Sequence, residues 1–333
     1  MSSSQLRTID GAPIVEESRE EASRDSCPCP VCGSARLSTF LSAPDRYHLR
    51  LQVYRLTRCE SCSMVWMASP PKPEEMFVHY GVDYYKGIAE AGEAAERWRK
   101  QRGVIERYKQ SGDVLDIGCG SGGFLRTFRG RLWKLHGIEI APAMAQRARL
   151  NAGAEVFIGD ALTAPFLPDS FDVVTCFDVL EHVYDPLRLL HRVLGWLKPG
   201  GMFYTMLPNI DSWEARMFGS YWYGLELPRH LFHFSPRSLR RAMESVGFGR
   251  GCIETQRGSY LQLSTRYLYS ELLEKLGFPA PSLAKATRPA IPWRIIRKVL
   301  RLSVVAPFGQ LAAISGAGAC MEAIFLKPTP EQR

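Results

Sequence analysis

A strand that runs into a glycine-rich turn limits the folds open to this chain more than any other feature. The sequence DVLDIGCGSGG spans residues 113–123. Its Val, Leu and Ile predict a buried strand, its glycines a tight turn, and the following FLRTF the start of a helix. Gly118, Gly120 and Gly123 let the backbone pass close to a ligand, and a helix N-terminus attracts anionic groups. The unit therefore predicts a nucleotide site.

The acid within this unit bears on which cofactor binds. The glycines fit G-x-G-x-x-G, a spacing that dinucleotide dehydrogenases also use, so they leave the cofactor open. Asp116 lies two residues before the first glycine, at the carboxyl end of the strand, where it would face a cationic or donor group of the ligand. S-adenosylmethionine (SAM) offers an ammonium group there. Asp116 therefore favours SAM, and a nicotinamide-dependent Rossmann oxidoreductase is the alternative.

Strand and helix patterns alternate after this unit. The expected strands are 135–140, 155–159, 171–177 and 201–207, and the expected helices between them are 142–152 and 186–197. Alternation at this spacing predicts an α/β fold, with a parallel sheet and helices on both faces. Further strands are expected at 248–257 and 320–326. A ligand then binds beyond the carboxyl ends of the strands.

Acidic residues follow several of these strands. Glu139 ends the second strand, where its carboxylate would accept from both ribose hydroxyls. Asp160 follows the third strand, within reach of an adenine amino group, and Asp178 follows the fourth. A single acid after a strand is common as a helix cap or turn former. Three in succession, together with Asp116, indicate a cofactor pocket.

Several motifs in this order carry a family resemblance. VLDIGCGSG, FDVV at 171–174, LEHV at 180–183, LKPGG at 197–201 and PN at 208–209 resemble the Rossmann-like (class I) SAM-dependent methyltransferases. The resemblance covers roughly residues 105–258, with a last strand near 320–326. It implies a seven-stranded, mostly parallel sheet and methyl transfer to a small-molecule, sugar or lipid-linked acceptor. The SAM-binding residues that it implies are Asp116, Gly118, Gly120, Glu139, Asp160, Ala161 and Asp178.

The stretch after the fourth strand carries a second implication of the resemblance. Some quinone-ring and RNA-end methyltransferases have Glu-x-x-Glu-His here and hold a divalent metal with it. This chain has Asp178, Glu181 and His182 at those places, which would suit magnesium. The alternative is that Glu181 and His182 line the cofactor pocket without a metal.

Histidines are the candidate catalytic residues, because a hydroxyl acceptor must lose its proton as the methyl group transfers. We expect His182, His230 and His233 in this role. The last two lie in an aromatic-rich segment, 210–234, that follows the fifth strand and would close over the acceptor. The alternative is that these histidines and aromatic residues only pack the sheet edge.

Five of the nine cysteines crowd into residues 27–62. Two Cys-x-x-Cys pairs at this separation predict a four-thiolate zinc site, structural because it leaves no open position. Its predicted ligands are Cys29, Cys32, Cys59 and Cys62, with Cys27 as a spare or a rival for Cys29. Buried thiols or a redox pair are the alternatives. We expect the site to be remote from the chemistry, and a nucleic-acid-binding zinc ribbon is a further alternative function.

The net charge of +8 is concentrated late in the chain. Residues 275–301 carry seven Lys and Arg and no acid, which predicts a basic amphipathic helix at 292–303. A helical hairpin packed on the domain is one interpretation of residues 292–314, and peripheral contact with an anionic membrane is the other. No specific nucleic acid is expected, because the charge between Cys32 and Cys59 is scattered.

These patterns divide the chain. We expect a disordered tail at 1–26, a zinc-ribbon-like module at 27–66 and a linker with a helix at 67–104. The SAM-binding domain takes 105–258 and 319–328, and a helical insertion, a lid or a membrane-facing segment, takes 259–318. The first residues have no apolar leader and no stretch of eighteen residues is uniformly apolar, which predicts a cytoplasmic protein.

Overall fold

The computed structural model describes residues 27–48, 50, 52–80, 92–258, 260–276 and 306–332. Its larger sheet has seven strands: β4 (Gly112–Ile117), β5 (Trp133–Glu139), β6 (Glu155–Ile158), β7 (Phe171–Phe177), β8 (Leu197–Pro208), β10 (Gly251–Gln256) and β11 (Cys320–Leu326). They lie in the order β10-β11-β8-β7-β4-β5-β6. Strands β4 to β8 pair in parallel, and β11 is antiparallel to both neighbours. The expected seven-stranded, mostly parallel sheet is confirmed.

Burial explains which strands are central. Every residue of β7 is buried, because helices cover both faces of a parallel sheet. The helices of the described residues are α1 (Pro73–Met76), α2 (Gly92–Tyr108), α3 (Pro142–Ala152), α4 (Pro186–Trp196), α5 (Trp213–Phe218), α6 (Pro236–Val246), α7 (Tyr260–Lys275) and α8 (Ala306–Ile314). A proline opens α3, α4 and α6, and Asp185 caps α4 by accepting from the Arg188 N–H at 2.9 Å.

The segment after the glycine turn differs from the prediction. Only a 3-10 turn, Leu125–Phe128, forms there, so the expected helix is wrong. Its apolar residues Phe124, Leu125 and Phe128 are all buried, and the chain leaves the turn at Arg129, whose ψ is 134°. Packing on the core therefore ends the helix within one turn. A short turn of this kind offers a ligand few free N–H groups.

A second, antiparallel sheet joins an early part of the chain to the segment that follows β8. Its strands are β1 (Leu37–Pro44), β2 (Val53–Cys59), β3 (Val65–Met67) and β9 (Phe232–His233), in that order. Strand β9 comes from the aromatic segment that follows β8. Side chains of the first part of the chain, including Met64 and Trp66, share one buried cluster with Leu231, Phe232 and Phe234. The small sheet is thus packed directly on the larger domain.

The insertion before the last strand is helical where the structure describes it. Helix α7 packs against residues 219–225, and α8 packs against β10. The predicted basic amphipathic helix at 292–303 lies outside the described residues. In the part of the chain that the structure covers, none of the helices is long and apolar enough to cross a membrane.

Candidate functional site

The glycine turn lies where the strand order reverses. Strand β4 has β5 on one side and β7 on the other, and ligands of open α/β sheets bind at such a point. The backbone N–H groups of Gly118 and Cys119 donate to the Ile138 carbonyl at 2.8 and 3.0 Å, which fixes the turn against β5. The turn is therefore preformed at the carboxyl edge of the sheet.

Backbone angles show which glycines this turn requires. Gly118, Gly120 and Gly122 have φ of +71°, +51° and +77°. A Cβ on Gly118 would lie 2.5 Å from Val179 Cγ2, and one on Gly122 would lie 2.8 Å from the backbone of Ala148. The sequence pattern points to Gly123, which has no positive φ in the structure. Gly122 is the third glycine that the geometry demands.

Asp116 lies at the end of β4 and is 5% exposed. The Thr175 hydroxyl donates to its Oδ1 at 2.7 Å. The pKa of Asp116 is raised to about 7, mainly by burial and to a smaller extent by the nearby Glu139 carboxylate, while the Thr175 hydrogen bond opposes the shift. A buried carboxyl without a cationic partner in the described chain gains one when a cationic ligand binds.

Glu139 lies at the end of β5 and is 6% exposed. Its Oε2 accepts from the Gly120 N–H at 2.9 Å and its Oε1 from the Ala141 N–H at 2.9 Å. The carboxylate thus joins the glycine turn to the end of β5. Each carboxylate oxygen has a second lone pair, so Glu139 also has acceptor capacity for the hydroxyls of a ligand.

Asp160 and Ala161 follow β6. The Asp160 carboxylate caps the 3-10 turn Ala161–Thr163 by accepting from the Leu162 N–H at 2.8 Å. The side chain of Asp160 is exposed and Ala161 is buried. The cap uses Asp160 Oδ1, so capping does not by itself exclude the predicted contact with an adenine amino group.

Asp178 follows β7 in a left-handed conformation with φ of 55°. Its carboxylate accepts from the Arg97 guanidinium of α2 at 2.8 Å. The side chains of Arg97 and Asp178 are 41% and 45% exposed. The structure thus pairs Asp178 with Arg97. The predicted magnesium site requires Asp178 beside Glu181 and His182, and the structure does not group these three residues. The left-handed turn at Asp178 directs its side chain toward α2.

Glu181 and His182 lie beside His230 instead. One ligand-type atom of each lies within 4.8 Å of the others. Glu181 is 1% exposed, and among the described residues neither of its carboxylate oxygens has a hydrogen-bond partner. Burial raises its pKa well above the ordinary value. The rings of His182 and His230 have centroids 4.6 Å apart. We refer to Glu181, His182 and His230 as the histidine cluster.

Hydrogen bonds fix both imidazoles of the histidine cluster. His182 Nδ1 lies 3.0 Å from the Arg229 carbonyl, and His230 Nδ1 lies 2.9 Å from the Gly224 carbonyl. A carbonyl oxygen only accepts, so each Nδ1 carries the proton and each Nε2 keeps a lone pair. Burial lowers the pKa of both rings to about 3, which keeps them neutral at pH 7.

His233 lies on β9, and its ring centroid is 6.2 Å from that of His230. It is 4% exposed, and its Nε2 has no hydrogen-bond partner in the described part of the chain. Burial lowers its pKa to about 3. All three predicted histidines therefore lie together, with His230 and His233 buried and His182 half-buried.

Three further residues around this group carried no signal in the sequence. The Tyr80 hydroxyl lies 3.2 Å from His182 Nδ1. Glu226, with φ of 37°, forms a 2.9 Å ion pair with the buried Arg229, and its Oε2 lies 3.7 Å from His230 Nε2. A left-handed glutamate is strained, and such strain is often found at functional sites. Tyr80 meets His182 across 102 residues of sequence, and the ion pair of Glu226 with Arg229 depends on the left-handed backbone at Glu226, which no local pattern reveals.

The four predicted metal-binding cysteines converge. Cys29 Sγ lies 3.5 Å from Cys62 Sγ, and Cys32 Sγ lies 3.6 Å from Cys59 Sγ. A tetrahedron with Zn–S bonds of about 2.3 Å has S–S edges of about 3.8 Å, so the spacing fits zinc. The Cys62 side chain holds the pKa of Cys29 at about 5. Cys27 is exposed and stands outside this group.

Comparison with known proteins finds methyltransferases. The family model of a methyltransferase domain matches residues 91–249. The ubiquinone biosynthesis O-methyltransferase of Idiomarina loihiensis is 38% identical over 108 residues, which is 30% of this chain and 44% of that one. The enzyme of the same name from Pseudomonas putida is 35% identical over 141 residues, 39% of this chain and 60% of that one. The chain thus spans about half the length of these curated relatives.

A solved structure aligns over more of the chain. Haemonchus contortus phosphoethanolamine N-methyltransferase 2, in complex with SAM, aligns with a TM-score of 0.49 and 17% identity, covering 88% of this chain and 69% of that one. The match of residues 91–249 spans β4 to β8, which form the glycine turn and the acidic strand ends. The resemblance of the motifs to methyltransferases is therefore confirmed for residues 91–249, which match a methyltransferase domain.

Proposed function

We propose that the protein transfers the methyl group of SAM to a hydroxyl of a small-molecule, sugar or lipid-linked acceptor. The observation that carries this proposal is the pairing of two buried carboxylates, Asp116 and Glu139, with a preformed glycine turn at the switch point of the sheet. The relatives named as ubiquinone biosynthesis O-methyltransferases support oxygen as the methylated atom.

Each strand end has a role in this proposal. Asp116 binds the methionine ammonium of SAM, and Glu139 accepts from the ribose hydroxyls while it holds Gly120 in place. Asp160 and Ala161 lie at the adenine, because β6 is the edge strand next to β5. Asp178 and its partner Arg97 lie at the methyl-transfer end, between the cofactor and the acceptor. A nicotinamide cofactor has no ammonium group to pair with Asp116.

The histidine cluster supplies the proton acceptor. A hydroxyl acceptor gives its proton to an imidazole Nε2, its oxygen takes the methyl group, and the sulfonium becomes the neutral thioether of S-adenosylhomocysteine. His182 and His230 both keep an Nε2 lone pair that can accept this proton. Burial of the site supports the reaction because it excludes competing water.

A divalent cation is the alternative occupant of the histidine cluster. Two imidazole nitrogens and one carboxylate are donors that zinc, manganese or iron accept more readily than magnesium. Glu181, His182 and His230 would hold it and His233 lies beside it, which replaces the set that includes Asp178. The cation would polarise the acceptor hydroxyl.

We also infer that Cys29, Cys32, Cys59 and Cys62 bind zinc in a structural role, which the S–S distances support. A cytoplasmic location and contact of residues 292–314 with an anionic membrane remain proposals. Residues 292–305 lie outside the described part of the chain. A test of the membrane contact is sedimentation of the protein with anionic and with neutral vesicles, where binding to anionic vesicles alone is expected.

The proposed function is tested with SAM whose methyl group is isotopically labelled. The protein is incubated with extracts separated into lipid, sugar and nucleic-acid fractions, and products are identified by mass. We expect an oxygen-linked methyl group in the lipid or small-metabolite fraction, lost in His182→Asn and His230→Asn. Metal analysis of the same samples distinguishes a base from a cation site. Label confined to nucleic acid, or label unchanged in both variants, would overturn the proposal.

A further inference from the structure

The small sheet touches the histidine cluster through its last strand. Strand β3 pairs with β9, with Val65 opposite His233 and Trp66 opposite Phe232. The Met67 N–H donates to the Leu231 carbonyl at 2.9 Å, and the Leu231 N–H donates to the Glu181 carbonyl at 2.8 Å. A continuous run of backbone hydrogen bonds thus leads from the small sheet to the first residue of the cluster.

The cysteine group lies at the other end of the same strand pair. Strand β3 begins three residues after Cys62, and the Cys59 N–H donates to the Met64 carbonyl at 2.8 Å. The Arg237 guanidinium of α6 donates to the Ser61 carbonyl at 2.8 Å, which ties the cysteine turn to the larger domain. The sequence predicts a cysteine site remote from the chemistry, whereas the structure connects it to β9 through β3.

A side chain makes the second contact. Tyr80 follows the 3-10 turn Phe77–His79, and its hydroxyl lies 3.2 Å from His182 Nδ1. His79 in turn lies 3.4 Å from the fully buried Asp45 carboxylate at the end of β1. The small sheet therefore holds the turn that presents Tyr80.

The position of Tyr80 affects which nitrogen of His182 is available. Free imidazole exchanges its single proton between two nitrogens, and a ring used as a base or a ligand must present the bare one. The Arg229 carbonyl holds the proton on Nδ1 at 3.0 Å, and the Tyr80 oxygen shares that N–H from the other chain segment. Two acceptors from separate segments then fix both the tautomer and the ring plane.

We propose that the small sheet forms one side of the acceptor site and that Tyr80 is a positioning residue. Its hydroxyl orients His182 so that Nε2 faces the acceptor. The inference rests on the proposed function, because it assigns His182 to the methyl-transfer reaction. The inference holds whether the histidine cluster accepts a proton or binds a cation, since His182 needs its Nε2 lone pair in both roles.

Tyr80→Phe tests this inference, and Tyr184→Phe is its matched control. The Tyr184 hydroxyl donates to the Pro71 carbonyl at 2.7 Å, so it also joins the early segment to the larger domain without touching the histidine cluster. Both variants lose one hydroxyl. The full-length proteins are compared in kcat and KM for SAM, in thermal unfolding, and in the ¹⁵N resonances of His182, which are assigned by their loss in His182→Asn.

We expect Tyr80→Phe to lower kcat by about 2- to 10-fold, the value of one neutral hydrogen bond, with an unchanged KM for SAM. Its His182 nitrogen resonances should move toward the exchanging tautomer average. Tyr184→Phe should change neither quantity. Equal effects of the two variants, or unmoved His182 resonances in Tyr80→Phe, would overturn the inference. The resonances need no turnover, so an inactive parent protein would contradict the proposed function while leaving this test intact.

Discussion

Replacement of Asp116 by Asn should make the protein more stable and a poorer SAM binder at the same time. Burial raises the pKa of this carboxyl from 3.8 to about 7. Between these two pH values the folded state holds a proton that the unfolded state has lost, so the unfolding free energy falls as pH rises. A tenfold difference in proton affinity corresponds to about 1.4 kcal/mol, so the full cost above pH 7 is on the order of 4 kcal/mol.

Asparagine avoids this cost because it does not ionise. Its carbonyl oxygen still accepts from the Thr175 hydroxyl, which lies 2.7 Å from Asp116 Oδ1, and the repulsion from Glu139 disappears. The gain over the parent should be near zero at pH 4 and should grow through pH 7 to a few kcal/mol, about 2 to 4. SAM affinity should fall about 10-fold or more, because one charge-assisted hydrogen bond to the ammonium is lost.

The assay is urea unfolding at pH 5 and pH 8 together with calorimetric titration of SAM. Asp172→Asn is the control, since Asp172 is equally buried, at 5% exposure, but pairs with Lys109 and Lys198. Burial opposes these ion pairs, yet the net effect lowers the pKa of Asp172. The control should lose stability and keep its SAM affinity. A loss of stability in Asp116→Asn at pH 8 would show that this carboxylate serves the fold.

Three other changes test the remaining assignments. Glu139→Ala removes the acceptor of the Gly120 and Ala141 N–H groups, so SAM affinity should fall by tens-fold or more in calorimetry, and unchanged affinity would place the ribose elsewhere. Cys59→Ser should release zinc and slow methyl transfer, while SAM affinity barely changes. Cys27 is exposed, so Cys27→Ser should retain the metal. Equal metal content in the two variants would contradict the assignment of Cys59 as a zinc ligand. Chelation of zinc from the parent should increase hydrogen exchange at the β9 amides but not at those of β7, and protected β9 amides would contradict the coupling.

The cofactor-binding residues of the site can be predicted from local sequence. Asp116 and Glu139 each end an apolar strand, and parallel strands bring their carboxyl ends to one edge, so residues far apart in sequence converge without knowledge of side-chain contacts. Two local predictions are wrong: the helix expected after the glycine turn, which is only a 3-10 turn, and the choice of the third glycine. The pattern G-x-G-x-x-G points to Gly123, but the close approach of Ala148 on α3 makes Gly122 the required glycine, and only tertiary packing determines that.

The acceptor half depends on contacts that no local pattern encodes. Pairing of β3 with β9 joins Val65 to His233 across about half of the chain, and the two-residue strand β9 has no strand-like periodicity of its own. The separation of Asp178 from Glu181 has a similar cause. A motif places both near one turn, but the left-handed backbone at Asp178 directs its carboxylate to Arg97 on another helix.

Calorimetric titration of the full-length protein with SAM and, separately, with NAD tests the central claim most directly. Both cofactors suit a strand, a glycine turn and an acidic strand end, but only SAM carries an ammonium group for Asp116. We expect saturable heat with SAM at one site per chain, weakened in Glu139→Ala, and no binding heat with NAD. Saturable binding of NAD without binding of SAM would contradict the account.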